Sequence, residues 1–281
     1  MKIMVDTSIR SGSNFLIPAT QKQRLKWGTG ATGVTISGFT RRELDPDADQ
    51  QCEKDALFTI GRLARTGRLT LHTYCELDVE SWRGGEGRMP IADPLSHCRF
   101  QPCPAAVERS KFRQTLNMNE WIAKGGKKDK KHGITLSDCN QIPFLEWLAL
   151  LPPKSTKAII DHGGILKLDD FEVASLQDLS WFQTMTRLLG SSDHLPDCFH
   201  LWTARRNGLD AFLTLEKKLP RSIEQIKNRR EKAIDLSVAV LRPTELLHTL
   251  GIDEIDPVPY LPERFYSYSE IFKIDRQLLK N

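Results

Sequence analysis

Four carboxylic acids in this sequence stand where a strand is predicted to end or a helix to begin. They are Asp6, Glu76, Asp197 and Glu216. The carboxyl ends of the strands in an open sheet border one crevice, so we expect these acids to meet there although they are far apart in the sequence. Carboxylates in close contact do not all stay ionised without a counter-charge, and hard oxygen ligands favour Mg²⁺ or Mn²⁺ over zinc. One or two such ions activate a water and stabilise a leaving oxygen, and the predicted chemistry is hydrolysis of a phosphodiester.

The stretch from Asp197 to Glu216 contains two of these acids and reads as a helix, a stop and a buried strand. Pro196 suits a first helical turn, where its missing N–H costs nothing, and a glycine such as Gly208 commonly follows a helix end. Ala211–Leu215 is a short apolar run typical of a buried parallel strand. Asp197 is therefore predicted at the start of a helix, and Glu216 at the carboxyl end of the next strand. A simpler interpretation is that Asp197 caps its helix and Glu216 is an exposed acid in a turn.

The other two acids follow strands predicted earlier in the chain. Ile3–Val5 is a brief apolar strand that runs into Asp6, and Leu69–Cys75 is a second strand that runs into Glu76. Glu80 lies one helical turn after Glu76 on the same face, and it is the second choice for that role. The alternative for Asp6 is a turn or a helix cap, and acids in a first helical turn are ordinary partners of the helix dipole.

The composition excludes several classes of protein. The chain has 281 residues, of which 40% are hydrophobic, and this is enough to bury a full core. It has no apolar run of about 18 residues that would make a membrane span. Its first residues become charged too soon for a signal peptide, and six cysteines without such a signal suggest reduced thiols. We expect a cytoplasmic protein without a membrane partner.

The formal net charge of +4 is mild, so any affinity for nucleic acid must come from local basic patches. One patch follows Glu216, where Lys217, Lys218 and Arg221 begin a segment that stays basic as far as Lys232. Beside an acidic site, this segment is predicted to contact a phosphate backbone. A solvated charged face is the alternative.

Strands alternate with helices along the chain, which predicts an α/β fold with a central, mainly parallel sheet flanked by helices. We predict a main domain over residues 1–251, a large insertion in it at about 83–165, and a C-terminal tail over 252–281 that lies against the domain or a partner. Residues 10–45 are predicted to be a loop with one strand at Val34–Phe39.

The motifs around the later acids resemble the C-terminal signature of PIN-domain nucleases. In that family an Asp is followed seven residues later by Ala, then by Gly, an apolar strand and Thr-x-Asp or a near equivalent. Asp197, Ala204 and Gly208 fit the first part of this signature. Thr214-Leu215-Glu216 fits its end.

The earlier acids are covered by the same resemblance. VDTSI at the N-terminus is similar to the family's first-strand motif and contains Asp6, and Glu76-Leu77 resembles the second acid of the family with the Leu that often follows it. The resemblance extends over residues 1–10, 66–82 and 185–251. The inserted middle of the chain and the tail have no counterpart in it.

The resemblance implies a PIN-like domain and an Mg²⁺- or Mn²⁺-dependent endoribonuclease, either a toxin of the VapC-like type or an RNA-processing enzyme. It implies a set of acids that act both as catalytic residues and as metal ligands: Asp6, Glu76, Asp197 and Glu216. Together with the basic patch, it implies a set of residues that contact RNA: Thr214, Lys217, Lys218 and Arg221. It leaves open an antitoxin or another protein partner, and also self-association.

Two departures from the family pattern open an alternative. Glu216 stands where the family usually has Asp, and the chain is longer than a toxin built from a single small domain. A degenerate PIN domain that binds RNA or protein without cleaving is therefore the competing hypothesis. A phosphatase of the haloacid dehalogenase type also begins with an acid after its first strand, but it needs a second Asp where this chain has Ser8.

Overall fold

A computed structural model describes residues 1–27, 30–83, 92–115, 136–228 and 235–280. Their contacts divide the chain into two compact units. The first unit comprises Met1–Pro102, Ala211–Lys217 and Val240–Asn281, and the second comprises Cys103–Asp210 and Lys218–Ala239. The limits of these units differ from those of the main domain, insertion and tail that we expected from the sequence. That division into domains stays a prediction. Part of the expected insertion, and residues 229–234 of the basic segment, lie outside the described residues.

The secondary structure alternates as expected for an α/β protein. The described elements in chain order are β1 (Lys2–Val5), α1 (Thr7–Gly12), β2 (Leu16–Trp27), β3 (Gly30–Arg41), α2 (Ala48–Asp55), α3 (Leu57–Arg65), β4 (Thr70–Thr73), α4 (Cys75–Arg83), β5 (Phe100–Pro102), α5 (Leu136–Leu150), α6 (Pro153–Asp161), α7 (Asp170–Gln177), α8 (Leu179–Leu189), α9 (Leu195–Arg206), β6 (Ala211–Leu213), α10 (Lys218–Asn228), β7 (Ala239–Leu241), α11 (Pro243–Thr249), β8 (Phe265–Ser267) and α12 (Tyr268–Lys280). Among these described helices, none is long and apolar enough to cross a membrane.

The central sheet has five parallel strands in the order β5-β4-β1-β6-β7, which confirms the predicted α/β class. Met4 of β1 lies opposite His72 of β4 on one side and Phe212 of β6 on the other. Ile3–Val5 and Ala211–Leu213 are at most 1% exposed, because helices cover both faces of a parallel sheet. Chain order runs outwards from β1 to β5 on one side and continues from β6 on the other. The order therefore reverses between β1 and β6, and in open α/β sheets ligands bind outside the carboxyl ends of the strands at such a point.

The loop predicted for most of residues 10–45 is wrong, whereas the strand predicted at Val34–Phe39 lies within β3. In place of a loop with one strand, this region contains α1 and a long antiparallel hairpin in which β2 and β3 pair from Leu16↔Arg41 to Trp27↔Gly30. A third strand, β8, pairs with β3 only at Gly38–Thr40. The strand β2 was missed because its residues 20–24 are all polar and solvent-exposed, without the alternation of apolar and polar residues that identifies a half-buried strand.

The expected C-terminal tail packs within the first unit and supports the base of this hairpin. Its Tyr260 and Tyr266 join Phe15, Phe39 and Phe58 in one buried aromatic cluster. The Phe15 and Phe58 rings meet edge to face with centroids 4.9 Å apart, and the Tyr260 and Tyr266 rings do so at 5.7 Å. Such pairs add to the stabilisation from burial alone. The base of the hairpin is therefore anchored in a hydrophobic core.

The start of α12 carries a capping interaction whose strength depends on pH. The Glu270 carboxylate accepts hydrogen bonds from the Ser267 backbone N–H and hydroxyl, each at 2.9 Å, and pairs with Arg264 at 2.8 Å. The Ser267 backbone donor is the largest of several causes that lower the pKa of Glu270 to about 2. The folded-state pKa lies below the ordinary value of 4.5, so the stabilisation is complete at neutral pH and is lost as the pH falls towards 2.

We therefore expect Glu270→Gln to lower the free energy of unfolding at pH 7 by about 0.5–1 kcal/mol, a value that allows for solvent screening of this half-exposed side chain. The difference from the native protein should shrink as the pH falls below about 4.5. Urea unfolding at a series of pH values measures it. Glu254→Gln removes the same charge from an exposed side chain and is the control. A difference that stays constant with pH would contradict this account.

Apart from Ala239 of β7, the regular elements described in the second unit are helices, and aromatic side chains fill the core between them. Phe182 stacks on Trp202 with ring centroids 5.4 Å apart, and Phe199 meets Phe144 and Phe182 edge to face at 6.3 and 6.2 Å. All four side chains are buried. Their size and close contact stabilise the packing of α5, α8 and α9 against one another.

Candidate functional site

Asp6 lies at the point where the order of the central sheet reverses. Its backbone N–H donates to the Leu213 carbonyl at 3.0 Å, which continues the pairing of β1 with β6 to the carboxyl ends of both strands. The side chain is 8% exposed. Its Oδ1 accepts the Thr7 N–H at 2.7 Å, so Asp6 caps α1. The cap expected as the simpler interpretation is thus present, and it fixes the carboxylate at the ligand-binding end of the sheet.

Two hydroxyl groups hold the second carboxylate oxygen of Asp6. Thr214, which follows β6, donates from Oγ1 to Asp6 Oδ2 at 2.7 Å, and Ser8 Oγ donates to the same oxygen. In return Ser8 Oγ accepts the Leu215 N–H at 3.0 Å, and Thr214 Oγ1 accepts the Glu216 N–H at 3.1 Å. The segments after β1 and β6 are therefore tied together around a single carboxylate.

Glu76 follows β4, the strand that pairs directly with β1 in the central sheet. It lies in the first turn of α4 and is 6% exposed, whereas Glu80, one turn further on, is half-buried. The predicted placement of Glu76 just after a strand of the central sheet is confirmed. Acids are rarely this buried, so the burial of Glu76 distinguishes it from an exposed partner of the helix dipole. Its role as a site residue stays a prediction.

An ion pair beside Glu76 was missed by the sequence analysis. Asp78 accepts a hydrogen bond from Thr73 Oγ1 at 2.8 Å and pairs with Arg10 Nη1 at 2.8 Å. The Arg10 guanidinium also lies 4.8 Å from the centre of the Phe100 ring. These contacts join α1 to α4, and they add a cation to an edge that carries acids. The acid-rich start of α4 was the only signal for this arrangement in the sequence.

Glu216 and Lys217 follow β6, and their surroundings differ. Glu216 is exposed, as the simpler interpretation of this residue expects. Lys217 forms ion pairs with Asp47 and with Asp49, the latter at 3.0 Å, and hydrogen bonding to the two acids raises the pKa of Lys217. A phosphate bound by Lys217 would have to compete with these acids. The proposed contact of Lys217 with RNA stays a prediction.

Asp197, Lys218 and Arg221 belong to the second unit. Asp197 lies in the first turn of α9, as predicted, and its Oδ2 is 3.1 Å from Nδ1 of His194. Lys218 begins α10, and Arg221 lies one turn later; both side chains are exposed. The convergence of Asp197 with the acids of the first unit stays a prediction.

The acids of the first unit have the chemistry that Mg²⁺ or Mn²⁺ requires. Within the described part of the chain, no group of three or more His, Cys, Asp or Glu side chains is placed closely enough to hold a metal. Mg²⁺, however, commonly keeps several water ligands and binds a protein through one or two carboxylates. Asp6 and Glu76, which follow the neighbouring strands β1 and β4 and are both buried, are the residues that fit this mode.

Comparisons with known proteins give no relative of this chain. No family model, no curated protein and no solved structure matches it. The five-stranded parallel sheet is compatible with a PIN-like fold. Membership of that family remains an expectation based on the motifs around the four acids.

Thr214→Val tests whether the hydroxyl cluster fixes Asp6. Valine has nearly the same shape but removes the donor to Asp6 Oδ2 and the acceptor of the Glu216 N–H. We expect the free energy of unfolding to fall by about 1.5–3 kcal/mol, because one of the lost hydrogen bonds is to a charged group. Thermal or urea unfolding measures the change. Thr214→Ser keeps the hydroxyl and should remain within about 1 kcal/mol of the native protein; equal losses in the two variants would contradict a role for the hydroxyl.

Proposed function

We propose that this protein is a metal-dependent endoribonuclease that hydrolyses phosphodiester bonds of RNA at the carboxyl ends of β1, β4 and β6. The observation that carries the proposal is the position of Asp6. A buried carboxylate, held by a helix N-terminus and two hydroxyl groups, lies where ligands bind in open α/β sheets. The resemblance of the surrounding motifs to those of PIN-domain nucleases supports the same conclusion.

Asp6 and Glu76 would hold an Mg²⁺ or Mn²⁺ ion, which when bound activates a water and stabilises the leaving oxygen. Thr214 and Ser8 orient the Asp6 carboxylate, because both donate to its Oδ2 and thereby fix the direction of its remaining lone pairs. Arg10 is held beside the site by Asp78 and is a candidate to contact a phosphate. The resemblance to PIN-domain nucleases also assigns a ligand role to Asp197 and Glu216.

The test is cleavage of labelled single-stranded and structured RNA with Mn²⁺, with Mg²⁺ or with EDTA. The proposal expects cleavage that requires a divalent ion and is lost in Asp6→Asn. Asp197→Asn should lose cleavage as well if this acid joins the site, and it should leave cleavage unchanged if it does not. Cleavage that persists in EDTA, or is equally present in Asp6→Asn, would indicate a contaminating nuclease and contradict the proposal.

The second candidate function is a module that binds RNA or protein without cleaving. The observations that favour it are the exposure of Glu216 and the scarcity of grouped metal ligands among the described residues. It predicts that the native protein does not cleave RNA under any metal condition. It also predicts that binding is indifferent both to metal and to Asp6→Asn.

A further inference from the structure

The β2–β3 hairpin is a two-stranded ribbon over most of its length. The two strands pair along twelve positions, but β8 extends the sheet only beside Gly38–Thr40. Residues 20–24 and 32–33 are exposed, and so are Thr35 and Ser37. A ribbon of two strands has little stability of its own in water. This one therefore relies on the aromatic cluster at its base, while its residues 20–24 and 32–33 lie open to solvent.

The charge of this region has one sign. Between Thr7 and Arg42 the sequence contains no Asp or Glu and six basic residues. Arg41, at the base of the ribbon, is engaged: it lies 3.6 Å from Asp55 and donates to the Tyr260 carbonyl at 2.9 Å. Lys22 and Arg24, further out, form no side-chain hydrogen bond or ion pair with any residue that the structure describes. Their charges are left to solvent or to a ligand.

The pairing register places these two cations on one open face. Lys22 is opposite Thr35 and Arg24 is opposite Gly33, and because side chains alternate along a strand, all four positions share a face. Apart from Gly33 and its two chain neighbours, no described heavy atom lies within 4 Å of the position that a Cβ at Gly33 would occupy. Thr35 and Gly33 are small, so nothing on the partner strand screens the two charges. The face is flat and basic, with cations about 6.8 Å apart along the strand.

We propose that this face binds the phosphate backbone of the RNA substrate through Lys22 and Arg24. The inference rests on the proposed function for the identity of its ligand, and it adds a binding surface that the site itself does not contain. Two cations at alternate positions of an extended strand match the spacing of successive phosphates in an extended single strand. The ribbon begins four residues after the end of α1, the helix that Asp6 caps.

Basic side chains also protect exposed sheet edges from pairing with other chains. That role makes a different prediction, because removal of the charges would then promote aggregation without changing the affinity for RNA. If the ligand were instead an acidic protein, a third result is predicted: polyglutamate would compete for the ribbon as effectively as RNA does. The experiment separates these alternatives.

The test compares Lys22→Gln/Arg24→Gln with the native full-length chain. Binding of fluorescein-labelled single-stranded RNA of mixed sequence is measured by anisotropy in EDTA, over a range of KCl concentrations. Two lost phosphate contacts should lower the slope of log Kd against log salt by about 1.4, and should weaken binding at 0.1 M salt by roughly 25-fold. The charge-matched control is Lys154→Gln/Lys157→Gln, which removes two exposed lysines of α6 and should bind like the native protein. Lys22→Arg/Arg24→Lys keeps both charges and should retain binding.

Unchanged binding in the ribbon variant overturns the proposal, as does an equal loss in the α6 control or equal competition by polyglutamate. Binding of duplex DNA with no affinity for RNA would also overturn it. Because binding is measured without metal, the outcome is independent of catalysis. RNA binding that depends on the ribbon, in a protein that never cleaves, would leave this inference standing while the proposed nuclease activity fails. If the protein cleaves RNA in a metal-dependent way but its RNA affinity does not depend on the ribbon charges, the proposed nuclease activity stands and this inference fails.

Discussion

Asp6→Asn is expected to lower the rate of RNA cleavage by about 10³-fold or more, which corresponds to about 4 kcal/mol of lost transition-state stabilisation. The substitution keeps the size of the side chain and removes its charge, and a neutral amide is a poor ligand for Mg²⁺. It leaves one oxygen to accept hydrogen bonds where the native carboxylate accepts from Thr7 with one oxygen and from Ser8 and Thr214 with the other. Single-turnover cleavage with saturating protein measures the rate without a contribution from product release.

Asp169→Asn is the matched control for this prediction. Asp169 also caps a helix, where its side chain accepts the Glu172 N–H at 2.8 Å. It lies in the second unit, however, and is not one of the predicted site residues. It should retain native cleavage rates. Unfolding curves for both variants show whether the fold is intact. If Asp6→Asn folds, binds RNA and still cleaves at the native rate, Asp6 is not a catalytic residue.

Glu53→Ala is expected to have the largest effect on stability, a loss of about 3–5 kcal/mol. Glu53 is 2% exposed and accepts hydrogen bonds from the Thr244 N–H at 2.9 Å and the Thr244 hydroxyl at 2.6 Å. It also lies 3.2 Å from Nη1 of Arg242. Alanine would leave a donor at the start of α11 and part of a guanidinium without their buried partner. Urea unfolding measures the loss.

The same contacts connect α2 to the segments that follow β6 and β7. Arg242 pairs with Asp49 at 2.8 Å as well as with Glu53, and Asp49 also pairs with Lys217. Glu53→Gln keeps an acceptor for Thr244 and should cost less than alanine. A double-mutant cycle with Arg242→Gln isolates the ionic part, and a coupling energy near zero would show that Glu53 acts only as a hydrogen-bond acceptor.

The sequence predicted the elements around the site well, because short apolar runs between breaks identify buried parallel strands. Strands were expected at Ile3–Val5 and at Ala211–Leu215, and β1 and β6 were found there. Asp6 was placed after the first of these runs, and Glu76 after the strand predicted at Leu69–Cys75, which contains β4. Asp78 and Arg10 could not be predicted in the same way, since their pairing depends on how α1 and α4 pack.

The hairpin shows the opposite case. Residues 20–24 of β2 are polar and uniformly exposed, and no periodic burial distinguishes them from a loop. Only β3 carries an alternating pattern, at Val34–Ser37. Their pairing is fixed instead by the register from Leu16↔Arg41 outwards and by the aromatic cluster at the base. The basic, acid-free composition from Thr7 to Arg42 was visible in the sequence, but only the register shows that Lys22 and Arg24 share a face.

The sequence by itself determined the α/β class and the acids at the ends of β1 and β4, because burial on both faces of a parallel sheet leaves a local signature in each strand. The tertiary structure decided the order β5-β4-β1-β6-β7, which places Asp6 and Thr214 side by side across 208 residues of sequence. It also decided that Lys217 is paired with acids at the start of α2 and that Lys22 and Arg24 lie on an exposed ribbon. Strand order, ion pairs and strand register depend on contacts between distant segments, and no local pattern specifies them.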